Sequence, residues 1–340
     1  MKIFGWSASV RDGCWFYRMK MPLDELAKHG HETRVGVVWA YDHGWDKPDI
    51  VVGQRICQDG PSKTWQKRSD IYRVYELDDD LLNLDPSNPG YAFYEQAHIR
   101  ANLKRNIQCA DAVTVSTMQL AELVSKLNPR VYIVPNTVPK SLLEFERTTA
   151  PALTVGWAGS ATHDMDWKEV SPHVKRFLHR NRDVQFHDIG EAYGSRFGLD
   201  GRYRHTPWTD TVGALWSAID FDIGLAPLRD HRFNRSKSPL KALEYAALGI
   251  PVIASDVGPY REFVAHYETG YLVKKDYQWG HYLHALARDP FLRKDMGRAA
   301  RNLAWGYIIE NWWTVWEAAY GAGGFLSPKM VSDAKTPSNH

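Results

Sequence analysis

What this chain lacks narrows it first. Three cysteines in 340 residues, Cys14, Cys57 and Cys109, make no CxxC pair. That spacing excludes a secreted disulfide scaffold and fits a reduced, intracellular compartment. No stretch approaches the ~20 apolar residues that a membrane helix needs. The opening MKIFGWSASV is too short in its apolar run, and too polar after Trp6, for a secretory signal. An excess of one charge is missing too. The formal net charge is +2, which excludes a histone-like polybasic protein and leaves room only for a local basic groove. GxGxxG, P-loop and HExxH motifs are absent, as are short-period repeats and low-complexity blocks. What remains is an ordinary globular mixture, 44% hydrophobic and 24% charged, on a chain long enough for two cores. The expectation is a soluble, cytoplasmic protein.

Apolar runs of strand length alternate with helical patterns, the arrangement of a parallel sheet covered on both faces. In the first half the runs are Lys2–Trp6, Val35–Val38, Asp49–Val52, Tyr72–Leu77, Ala112–Ser116 and Val131–Val134. A helix through Leu23, Leu26 and Ala27 should stop at Gly30, and another spans Leu120–Leu127 with apolar residues at helical spacing. Lys140–Pro151 reads as a linker. A second series then begins, with strands at Leu153–Ala158, Val184–Ile189, Phe221–Ala226, Pro251–Ser255 and Tyr271–Val273. Trp279–Tyr320 reads as wholly helical. The expected architecture is α/β, with two Rossmann-like doubly wound domains facing across a cleft. Their bounds are 1–145 and 152–305, followed by a C-terminal helix over 306–322 that could cross back to the first domain and a frayed tail over 323–340.

The densest chemistry lies in Asn234–Ser255, NRSKSPLKALEYAALGIPVIAS. Ser238 before Pro239 reads as a helix start, with an N-capping hydroxyl and proline at the first helical position. The free N–H groups and dipole of such a first turn favour an anion. Lys237 stands before the cap, Lys241 one turn inside, and Glu244 three residues later on the same face. Two cations for a diphosphate and a carboxylate for a ribose diol make a coherent nucleotide site. A capped helix with solvated charges is the plainer reading.

Here the chain resembles the GT-B glycosyltransferases of retaining family 4. The likeness rests on KALEYAALGIPVIAS, on Asp256–Val273 with Gly258 and Glu262, on CADAVTVSTMQLAEL followed by VYIVPNTV, and on the opening GWSASVRDGCWFYRMKMPLDELAKHGHE. These occur in the family's order over roughly residues 1–320. The resemblance implies sugar transfer from a nucleotide sugar (UDP- or GDP-linked) to an acceptor hydroxyl, with retention. It implies no catalytic metal and no cofactor beyond the co-substrate. Glu244 matches the second glutamate of the family's E-x7-E motif and would bind ribose. Ser236 replaces the first glutamate, and Ser160, after Gly159, stands where an arginine is usual. Phosphate neutralisation would then fall to Arg235, Lys237 and Lys241, with backbone N–H groups near Gly258 approaching the donor. Ser238 completes that donor set.

In the first half, Gly13 lets backbone approach a ligand. Arg18 could serve as a phosphate or acceptor contact, or as a surface ion-pair partner. Glu76–Asp80, ELDDD, follows the fourth strand at the edge where doubly wound sheets hold ligands. Asp78 or Asp79 could bond a sugar hydroxyl or orient the acceptor, with Lys237 facing the leaving phosphate. A triple aspartate also admits a hard-metal site or a plain acidic loop. Basic and aromatic residues interleave in Trp65–Arg73 and His98–Asn106, where Arg100, Lys104 and Arg105 could track phosphates. Compact length and the ELDDDL stretch are similar to a small phage-type branch. That likeness leaves hydroxymethylated pyrimidines in DNA, virion proteins and surface glycans open as acceptors, with an epimerase or a non-catalytic nucleotide-sugar module as alternatives.

Overall fold

A computed structural model describes residues 1–9, 12–39, 45 and 47–321. The 323–340 segment read as a tail lies outside the described residues, as do Val10 and Arg11 of the first loop.

The first sheet is built from β1 (Lys2–Ser7), β2 (Glu32–Gly36), β3 (Ile50–Gln54), β4 (Tyr72–Leu77), β5 (Ala112–Val115) and β6 (Val131–Ile133). Its order is β2-β1-β3-β4-β5-β6. The second contains β7 (Thr154–Gly159), β8 (Gln185–Gly190), β9 (Tyr203–Thr206), β10 (Ile223–Ala226), β11 (Val252–Ser255) and β12 (Gly270–Val273), in the order β12-β11-β10-β7-β8-β9. Every pairing is parallel. Central strands such as β3, IVVGQ, are buried at every position, as parallel strands covered on both faces must be. Each sheet reverses its winding once, at β1/β3 in the first and at β7/β10 in the second. Crevices outside the carboxyl ends of strands at such points are where these folds take ligands.

Several elements depart from the sequence expectation: the run read at Val35–Val38 gives a strand at Glu32–Gly36 with Val37 and Val38 exposed, and the stretch read as a linker opens with a helical turn, Lys140–Leu143. β9, YRHT, pairs with β8 as an edge strand, and its polar, half-exposed residues give no hydrophobic run to read. The Trp279–Tyr320 stretch is three helices rather than one. Asp289 caps a new helix by accepting from Leu292 N, and Pro290 occupies its first position. Ile308 is extended and precedes the last helix, Ile309–Ala319.

That last helix packs against Met21–Lys28 on the first sheet. Trp313 stacks on His29 at 3.7 Å, and His31 Nε2 lies 2.8 Å from Glu317. At the crossing, Val138 N donates to Tyr307 O and Ile309 N to Val138 O, at 3.0 and 2.9 Å. One hydrophobic cluster therefore runs through both halves, from Ile3, Leu23 and Val52 by way of Leu142, Trp316 and Tyr320 to Leu243 and Ala300.

Candidate functional site

The carboxyl edges of the two sheets meet. Thr117 Oγ1 donates to Ser236 O at 2.8 Å, Asn136 Nδ2 to Ser238 Oγ at 2.7 Å, and Arg229 Nη2 to Asp85 at 3.0 Å. Between these contacts sit most of the residues singled out in the sequence.

Lys241 comes from the helix Leu240–Ala247, reaches the end of β7, donates to Ala158 O and lies 5.0 Å over the Trp157 ring. Gly159 makes room for it, since a Cβ there would stand 2.9 Å from Lys241 Nζ. Burial pushes the Lys241 ammonium down to about 8. Ser160 follows, partly exposed, with its hydroxyl 2.9 Å from Thr162 Oγ1. Lys237 Nζ lies 4.6 Å over Phe233 and 3.9 Å from Asp79 of the other domain. Asp166 braces this floor. It accepts from Arg229 N at 2.8 Å and from Asn234 Nδ2 at 2.9 Å, and its other oxygen meets His163 Nδ1 at 2.8 Å. Burial holds His163 down at about 4, so it is neutral at physiological pH.

Glu244 is 7% exposed and already engaged. Tyr17 OH, from the opposite domain, donates to it, and Trp216 Nε1 approaches at 3.4 Å. Burial raises the Glu244 carboxyl despite these donors and Lys241. A ribose diol that reached Glu244 would have to displace the tyrosine.

On the facing edge the three aspartates diverge. Asp78 is buried and paired with Arg55 at 2.6 Å. Burial alone would raise its carboxyl, but Arg55 brings it below the ordinary range. Asp79 bonds Arg55 Nη2 at 2.9 Å and faces Lys237. Asp80 binds Asn83 at 2.9 Å and looks toward Arg232 at 3.8 Å. Asp78 and Asp79 share Arg55 while Asp80 turns away to Asn83 and Arg232, and among the described residues no group of three or more His, Cys, Asp or Glu is placed to hold a metal ion.

Several expectations need correction. Ser238 does not cap its helix. Pro239 takes the cap position without a side-chain bond, and the Ser238 hydroxyl accepts from Asn136 instead. Arg235 is exposed and paired with Asp230 at 2.6 Å. Gly258, at φ +42, is required by packing, because a Cβ would stand 2.7 Å from Arg235 O. Arg18 is not a surface residue. It is wholly buried, paired with Glu76 at 2.7 Å, bonded to Val134 O and Asn136 Oδ1, and lies 4.6 Å from the Trp316 ring. Arg100 pairs with Glu95. Lys104 and Arg105 are exposed late in Ala97–Gln108, a helix that runs back toward the amino edge where β5 begins, away from the cleft. Trp65 and Arg73, the two ends of the other basic and aromatic stretch, are buried, while Lys67 between them is exposed. Gly13 opens the short helix Gly13–Trp15, capped by Asp12, with open space where a Cβ would project.

Arg55 was missed from the sequence. It stands at φ +55 just beyond β3, a left-handed conformation that costs a non-glycine residue ~1 kcal/mol or more. The readable signal was a lone arginine directly after the apolar run IVVGQ.

A family model described as Glycosyl transferases group 1 matches residues 234–303, the segment that supplies Lys237, Lys241 and Glu244. A D-inositol 3-phosphate glycosyltransferase from Arthrobacter sp. (strain FB24) is 44% identical over 115 residues, covering 33% of this chain and 26% of that protein. Among solved structures, Anabaena HepE in complex with UDP-glucose aligns with TM-score 0.67 at 12% identity, over 94% of this chain and 99% of that one. Sucrose-phosphate synthase from Thermosynechococcus elongatus aligns with TM-score 0.63 at 14% identity, over 95% and 98%. At such identities the likeness establishes the fold. The chain therefore has the GT-B architecture, and its residues 234–303 match the model of the group 1 glycosyl transferases.

Proposed function

We propose that this protein is a metal-independent glycosyltransferase that moves a sugar from a UDP- or GDP-sugar to an acceptor hydroxyl with retention of configuration. The observation that carries the reading is Lys241, buried and held at the end of β7 beside the β7/β10 switch point, with Lys237 and Asp79 facing each other 3.9 Å apart across the cleft. As the glycosidic bond breaks, negative charge grows on the leaving diphosphate oxygen. Lys237 and Lys241 meet that charge where it develops. Glu244 takes the ribose diol once Tyr17 yields, and Asp79 orients either the donor sugar or the incoming hydroxyl. The cleft excludes water so that the acceptor, rather than solvent, takes the sugar. The structure of HepE in complex with UDP-glucose supports the choice of donor class.

Hydroxymethylated pyrimidine DNA is the acceptor to test first, on the phage-type resemblance, against protein and glycan acceptors. The experiment offers each UDP- and GDP-sugar with each acceptor class and follows nucleotide release together with mass gain on the acceptor. Acceptor-dependent release that persists in excess EDTA is expected. Release at the same rate without acceptor, or no release with any donor, would overturn the reading.

A further inference from the structure

Glu244, the carboxylate assigned to the donor ribose, already holds a hydroxyl of this chain. Tyr17 OH reaches it from the opposite domain, donating to the carboxylate and accepting from Trp216 Nε1 at 3.2 Å. A ribose hydroxyl at the same spot would do the same two things, giving its proton to Glu244 and taking one from the indole. Burial and the neighbouring carboxylate keep the phenol protonated, so it stays a donor. Tyr17 and Glu244 are both buried, and the phenol fills the place at the carboxylate that a ligand hydroxyl needs.

The contact is built rather than incidental. Tyr17 lies in Phe16–Lys20, a wide turn in which Met21 N donates back five residues to Phe16 O, inserted in an otherwise α-helical run over 13–28. Such a turn aims a side chain where a regular one would not, and turns of this kind are rare and collect at functional sites. Phe16 packs edge-on against the Trp216 ring at 5.8 Å, which braces the indole as the third partner. Holding the domains together does not require the Tyr17 bond. Thr117 to Ser236, Asn136 to Ser238, Arg229 to Asp85 and the last helix already do that. What the phenol supplies is a hydrogen-bond donor to a buried carboxylate, which is costly to leave unpaired. A ribose diol offers two hydroxyls against the phenol's one, so a donor displaces Tyr17 but gains only the difference.

On the reading of Glu244 as the ribose carboxylate, we propose that Tyr17 is an internal lock on the donor site, a mimic of the ligand that lowers nucleotide affinity until a ribose takes its place on Glu244. The test is calorimetry of the full chain with UDP, and with GDP in parallel, on wild type, Tyr17→Phe, Glu244→Gln and the double variant. Tyr17→Phe keeps the ring and removes the hydroxyl. It should bind the nucleotide about tenfold tighter, since a hydrogen bond to a charged group no longer has to be broken, while the free variant melts lower than wild type. A tyrosine that merely propped the site would lose affinity along with stability. The gain should be lost in the Glu244→Gln background, where the acceptor's charge is gone. Unchanged or weaker binding by Tyr17→Phe, beside clear binding by wild type, would overturn the lock and leave the donor site standing. So would a gain that survives Glu244→Gln. No binding of either nucleotide by wild type or by Tyr17→Phe would instead overturn the donor-site reading itself, and the lock with it.

Discussion

At the scale of residues, the cleft is a set of charges kept apart by other charges. Arg55 is the least replaceable of them, since it pairs Asp78 and Asp79 from a strained backbone position. Arg55→Ala should cost about 3 kcal/mol by leaving Asp78 buried and unpaired and should lower kcat sharply. Arg55→Gly should lose the same activity but recover about 1 kcal/mol by relieving the positive φ. Denaturant unfolding beside turnover separates the two, and equal stabilities would show that the strain is unimportant. Lys241 sets a pH limit. Held at about 8, it is charged below that value and neutral above it, so diphosphate binding should weaken as pH rises through 8. Calorimetry with UDP from pH 6.5 to 9.5 checks this, and Lys241→Met should abolish the dependence. Affinity flat across that range would remove Lys241 from phosphate contact. Glu244→Gln keeps the shape but replaces a charged acceptor with an amide. Weaker donor binding with little change in melting temperature is expected, and unchanged affinity in calorimetry would move the ribose elsewhere.

Among the elements, β8 holds a pH liability. Asp188 is fully buried with Oδ1 unpartnered and Oδ2 accepting from Gly194 N, and burial raises its carboxyl to about 7. Its folded value lies above its unfolded one, so the proton it retains favours the fold below the unfolded value near 4. That contribution is lost as pH rises from 4 through 7, at about 1.4 kcal/mol per pH unit. Asp188→Asn should therefore melt higher than wild type at pH 8 and alike at pH 4. A variant that melts lower at pH 8 would show that the carboxylate is satisfied after all. The helix Leu240–Ala247 teaches a related lesson. Its lysine and glutamate stood out in sequence, yet its start is governed by a cross-domain bond to Asn136 rather than by the expected serine cap.

For the whole molecule, the last helix is a clasp. Trp316 is fully buried and lies against Arg18, which in turn holds Glu76 and the β6–linker backbone. Trp316→Ala should cost about 3–5 kcal/mol and also uncover a buried charge. Chemical unfolding measures it, and a loss below 1 kcal/mol would mean that the clasp is dispensable. Because the clasp joins both domains in one hydrophobic cluster, the variant should also broaden the unfolding transition if the halves then melt separately.

The strand series apart from β9, the helices around Leu23 and Leu240, and the plan of two parallel sheets were legible in the sequence. Each rests on local periodicity, or on a few neighbouring residues whose chemistry survives any packing. Partnership was not legible. Arg18 and Arg100 read alike as basic residues near aromatic ones, yet one lies at the centre of a buried network and the other pairs at a helix end. Asp78, Asp79 and Asp80 are adjacent in the chain, but the first two share Arg55, the second also faces Lys237, and the third turns to Arg232. Tyr17 meets Glu244 across 227 residues. Such contacts depend on how two sheets face each other, and no short-range pattern encodes that. Tertiary structure alone decided which charges are buried and paired within the fold and which stay open at the cleft, because burial and pairing rather than residue type set the cost of a charge.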